Sequence, residues 1–89
     1  MTNEEQILSI LQEECAEVIQ AVSKVRRFGK DNNIEELCKE IADVEVMIML
    51  AKEHIGELYQ FNWGQARQNK IDKLHVYSSI FSPSEEVLS

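Results

Sequence analysis

Apolar residues recur along the first third of the chain at alternating spacings of three and four: Leu8, Leu11, Cys15, Val18, Val22 and Val25. That period marks an amphipathic helix. A second line runs beside the first at the same spacings, through Ile7, Ile10, Glu14, Glu17 and Ala21. The next stretch repeats the arrangement. One line is Leu37, Ile41, Val44, Ile48, Ala51 and Ile55, and its neighbour is Glu36, Glu40, Asp43, Met47 and Leu50. In both helices, carboxylates interrupt an otherwise apolar line.

The punctuation fits two long helices. Thr2 and Glu5 have the spacing of a capping box, which predicts a first helix from about residue 3 to residue 27, stopped by Gly29. The short loop "GKDNN" leads to Asn33 and Glu36, again at capping-box spacing, and the second helix ends before Gly56. A loop this short predicts an antiparallel hairpin. The segment "ELYQFNWGQ" reads as a turn or a short helix. From about residue 65 to residue 77 a helical pattern returns, with Ala66, Ile71, Leu74, Val76 and Tyr77 as packing residues. β-branched runs of strand length bounded by turns are absent. The expectation is an all-α fold, a hairpin plus a C-terminal helix, with one domain over residues 1–78 and a tail over 79–89. Two apolar lines on each long helix exceed what 89 residues can cover. A multi-helix bundle built as a homodimer or homotetramer is therefore expected.

The embedded carboxylates give this fold a candidate chemistry. Residues three apart on a helix have side chains about 5–6 Å apart at Cβ, so Glu14 with Glu17, and Glu40 with Asp43, each converge on a point. An antiparallel hairpin brings the two points together. Four crowded, partly buried carboxylates repel one another and resist ionisation unless a cation compensates them. Oxygen donors suit a hard dication, Mg²⁺ or Mn²⁺. The plainer alternative makes these acids the solvated flank of two amphipathic helices. It accounts for one pair more easily than for two pairs placed alike.

Composition removes other classes. The net charge of −7 opposes general nucleic-acid binding, which draws on many Lys and Arg contacts to phosphate. No apolar run approaches the about 18 residues of a membrane span, and no signal-like segment opens the sequence. Cys15 and Cys38 lie inside helical patterns, so reduced thiols and a cytoplasmic location are expected, with Cys15 in the core and Cys38 inert. The cations are clustered: Lys24, Arg26, Arg27 and Lys30 near the first helix end, Arg67, Lys70 and Lys73 in the last helix. They read either as dipole-complementing helix ends or as a polyanion site. His54 and His75 have no ligand spacing.

The order E-E-x-x-E (Glu13, Glu14, Glu17) and E-x-x-D (Glu40, Asp43), with twenty-two residues between, resembles the signature of MazG-like nucleoside triphosphate pyrophosphohydrolases. The surrounding "EECAEVIQAVSKVRRFG" and "KEIADVEVMIML" are most similar to short bacteriophage members. The resemblance covers residues 8–50 well and "NKIDKL" (residues 69–74) more loosely. It implies an all-α homodimer or homotetramer that cleaves a (deoxy)nucleoside triphosphate to monophosphate and pyrophosphate with Mg²⁺.

Carried over by position, the metal ligands are Glu14, Glu17, Glu40 and Asp43. Glu13 and Glu17 are the candidates for taking the water's proton. Lys70 and Lys73 match the family's phosphate-facing cations, although "HVYSSIF" lacks the arginine that usually follows. Arg26 and Arg27 are further phosphate candidates. Trp63 and Asn62 are candidates for holding the base, as alternatives to packing; Phe28, Tyr59 and Phe61 are weaker ones. Two rival readings remain: a non-catalytic helical dimerisation or regulatory module, and a phosphoribosyl-ATP pyrophosphohydrolase of the same superfamily. A di-iron carboxylate bundle is set aside, because it needs Glu-x-x-His pairs and none is present.

Overall fold

The computed structural model describes residues 1–81. Most of the expected tail, residues 82–89, lies outside the described residues. Four helices follow in order: α1 (Asn3–Phe28), α2 (Ile34–His54), α3 (Gly56–Tyr59) and α4 (Trp63–Tyr77). Among the described residues there is no strand.

Thr2 caps α1, its hydroxyl accepting from the Glu5 N–H at 3.1 Å. Glu4 and Glu5 in the first turn, with Arg26 and Arg27 in the last, match the helix dipole. Gly29 ends the helix at φ +88°, a region that costs glycine little. The loop then differs from the expected capping box at Asn33. That residue is helical in backbone and makes no side-chain cap. Its amide instead donates to the Gly29 and Asp31 carbonyls at 3.0 and 3.1 Å, closing the loop.

α1 and α2 pack as an antiparallel pair, α3 packs on α2, and beyond its first residue, Trp63, α4 stands off the other helices. The shielded line on α1 is Ile7, Leu11, Glu14, Val18, Ala21 and Val25. It takes alternate members from both apolar lines of the sequence. On α2 it is Leu37, Glu40, Val44, Met47 and Ala51, continued by Ile55 at the helix's C-cap. Glu14 and Glu40 thus stand within the packing seam itself. Among the described residues, the buried apolar ones are Ala21, Met47, Ala51 and Ile55.

The expected core is corrected in three places. Cys15 is exposed, because it lies on the flank of the seam. Val76 and Tyr77 are 75% and 84% exposed, because the far end of α4 meets neither α1, α2 nor α3. The radius of gyration is 16.0 Å, against about 12 Å for a compact chain of this length.

α4 is tethered at its start. The Trp63 indole N–H donates to the Leu58 carbonyl at 2.7 Å, and Lys52 lies over the ring at 4.4 Å. Asn62 caps the helix by accepting from the Gln65 N–H at 3.0 Å.

Candidate metal centre

The hairpin brings Glu14, Glu17, Glu40 and Asp43 to one point. One carboxylate oxygen from each lies within 4.8 Å of the others. The register explains why. Glu14 and Glu40 occupy the seam, and Glu17 and Asp43 follow three residues later on the same flank. Glu14 and Glu40 are half-buried, whereas Glu17 and Asp43 are exposed. The cluster is therefore rooted in the interface and open on one side.

Its electrostatics are those of an uncompensated group of acids. Partial burial and the charges of Glu17 and Asp43 raise the Glu14 pKa above the usual carboxylate value. Proton-sharing with Glu17 and Glu36, together with partial burial, holds Glu40 up at about 7. One oxygen of Glu14 and one of Glu40 are shut off from solvent without a hydrogen-bond partner. Such atoms ordinarily find a donor. A cation among the four acids would satisfy both, so the residues present fit a hard divalent ion.

The other sequence-predicted residues fall in different places. Glu13 is exposed beside the cluster, on α1. Arg26 and Arg27 line a separate groove with Val18, Ile19, Val22 and Ser23, and Arg27 lies 5.2 Å from the Phe28 ring centre. They do not meet the carboxylates within the protomer. Lys70 and Lys73 project from α4 beyond Trp63, where it stands off both hairpin helices. Trp63 and Asn62 line neither groove flanking the cluster, and their polar groups are used to anchor and cap α4.

Of the basic cluster read from the sequence, the member beside the carboxylates is Lys24 and not Arg26 or Arg27. With Glu17, Gln20, Glu36 and Glu40, it lines a groove of about 170 Å³ beside the cluster. Its seven-residue spacing from Glu17, two helical turns, was the available signal.

An all-helical chain that gathers four carboxylates from two antiparallel helices has the architecture of a carboxylate centre able to hold a divalent cation. The chain belongs to the MazG nucleotide pyrophosphohydrolase family, whose domain model matches residues 2–77. No curated protein and no solved structure matches the chain.

Proposed function

We propose that the chain is a Mg²⁺-dependent nucleoside triphosphate pyrophosphohydrolase, turning a (deoxy)nucleoside triphosphate and water into the monophosphate and pyrophosphate. The observation that carries this reading is the four-carboxylate cluster with two buried, partnerless oxygens, in a chain of the MazG family. Glu14, Glu17, Glu40 and Asp43 are the ligands in this account. Mn²⁺ is an acceptable substitute, since the donors are all oxygen.

A dication held by Glu14, Glu17, Glu40 and Asp43 would supply charge neutralisation for phosphate and a more acidic water. The remaining work belongs to the chain. Glu14 and Glu40 stand in the packing seam, and each keeps one buried oxygen without a hydrogen-bond partner to turn toward the ion. Glu13, exposed next to the cluster, is free to accept a proton from water at a carboxylate oxygen. Glu17 is the second candidate for that role. Lys24 lines the groove beside the cluster, and its part in this reading is to meet phosphate.

The working unit in this reading is a homodimer or homotetramer. The support is an exposed apolar flank opposite the cluster, including Leu8, Ile19, Ile41 and Ile48, and a helix α4 that stands off the others beyond Trp63. Lys70, Lys73, Arg26 and Arg27 contact phosphate only if a second copy brings them to the site.

The test is incubation with each dNTP and NTP, with Mg²⁺ or with chelator. Pyrophosphate and monophosphate in equal amounts, formed only with metal, support the reading. No turnover, with no change of melting temperature on adding Mg²⁺ or Mn²⁺, leaves a non-catalytic helical module instead. Turnover confined to phosphoribosyl-ATP selects the other branch of the superfamily.

A further inference from the structure

A second groove adjoins the carboxylates at the far end from the loop. Its volume is about 250 Å³, and its apolar walls are Ile7, Ile10, Met47 and Leu50. Exposed Asn3, Gln6 and His54 complete the lining. Ile10 and Leu50 lie seven residues from Glu17 and Asp43 respectively, and so stand on the same flank two turns along. That displacement is about 10 Å at 1.5 Å per residue, the reach of a sugar and a base beyond a phosphate.

We propose that this groove is the base subsite, and that the nucleotide lies along the hairpin flank with its base among Ile7, Ile10, Met47 and Leu50 and its outer phosphates toward Lys24. This inference rests on the pyrophosphohydrolase reading. The two ends of the flank differ in a way that fixes the direction. Beyond the cluster toward the loop, the groove is polar and contains the cation Lys24. In the opposite direction, the groove is walled by aliphatic side chains and a thioether and contains no Lys or Arg.

Apolar walls with a few polar groups are the usual make-up of a small-molecule site. The volume falls below the about 300–1,000 Å³ of drug-sized pockets, which suits a single flat heterocycle. Met47 offers a polarisable surface to a ring face. Gln6 and Asn3 each carry a donor and an acceptor, the complement of a base edge. The aromatic alternative, Trp63, has its only donor taken by the Leu58 carbonyl and Lys52 stacked on its ring.

Methyl-labelled protein with Mg²⁺, titrated with an α,β-imido deoxynucleoside triphosphate and separately with inorganic tripolyphosphate, tests the inference by NMR. The nucleotide analogue is expected to shift the methyl signals of Ile7, Ile10, Met47 and Leu50, and tripolyphosphate to leave them near their free positions. Shifts from the analogue confined to Ile41 and Ile48, or to the Trp63 indole, overturn the base subsite.

Kinetics give a second measurement. Leu50→Trp is expected to lower kcat/KM for dNTPs at least tenfold while keeping the Mg²⁺-induced rise in melting temperature. Gln6→Ala, at an exposed position, is expected to change the ratio of kcat/KM between bases several-fold. Normal kinetics from both variants overturn the subsite and leave the pyrophosphohydrolase reading standing. A wild-type protein that neither turns over nor binds any nucleotide overturns both.

Discussion

The two flanks of the α1–α2 hairpin border the same packed seam and solve opposite problems. One carries Glu17, Lys24, Glu36 and Asp43 and is notched by two small grooves. The other carries Leu8, Ile19, Ile41 and Ile48, and its residues are 40–70% exposed. The first flank is short of positive charge and the second is short of apolar cover. In the function proposed above, an ion and a polyanion complete the acidic flank, and a second copy of the chain completes the apolar one. A small α-helical chain with four buried apolar residues among those described gains from such help, because little of its surface is removed from water.

The largest effect that separates the flanks is on turnover. Glu14→Gln, Glu40→Gln or Asp43→Asn each removes a charged ligand, so Mg²⁺-dependent activity is expected to fall on the order of 10²-fold or more. Circular dichroism is expected to show the helices intact. Glu40→Gln is also expected to melt higher than wild type in chelator, since it removes one member of a mutually repelling set. Wild-type activity in two of the three variants would sink the ligand assignment.

Charging the other flank should do the reverse. Ile41→Lys or Ile48→Glu is expected to halve the mass seen by light scattering and to lower the melting temperature. The carboxylate cluster would remain in place, because neither residue belongs to it. An unchanged mass would remove the apolar flank as the assembly surface.

The third effect is on pH. Glu40 ionises near neutrality in the folded chain, at about 7 against a usual value of 4.5. Between those two values the unfolded chain has released a proton that the folded chain still holds. Metal-free stability therefore falls as pH rises from about 4.5 to about 7, then levels. Glu14, also raised, adds to the same trend. Cation affinity runs the other way, increasing up to about pH 7, because the ligands must lose their protons to bind. Melting curves in chelator and in Mg²⁺ across this window are expected to converge at the acid end.

The smallest effect lies away from both flanks. Thr2→Ala removes the cap that accepts from Glu5 and is expected to cost about 1 kcal/mol, read from denaturant unfolding, with kcat unchanged.

Much of the hairpin was legible in the chain. Helix ends followed from Thr2 and Gly29, and the convergence of Glu14, Glu17, Glu40 and Asp43 followed from three-residue spacing and an antiparallel turn. The line that packs was not legible. Each long helix carries two adjacent apolar lines, and periodicity cannot choose between them; the observed seam crosses from one to the other, leaving Cys15 outside. Asn33 had the right spacing for a cap but was taken up by the loop carbonyls. Arg26 and Arg27 of the basic cluster lie two and three residues from Lys24, yet residues so spaced on a helix point in different directions. Only Lys24 of that cluster shares the carboxylate flank. Trp63 looked free for a ligand because its acceptor, the Leu58 carbonyl, is a backbone atom with no trace in side-chain pattern.

The proposal depends most on a dication occupying the point where the two helices present their acids. Mn²⁺ titration followed by electron paramagnetic resonance, on wild type and on Glu40→Gln, measures that directly. The account predicts saturable binding to the wild type, displaced by Mg²⁺ and lost or greatly weakened in the variant. Absence of saturable binding to the wild type, or equal binding by both proteins, would contradict it.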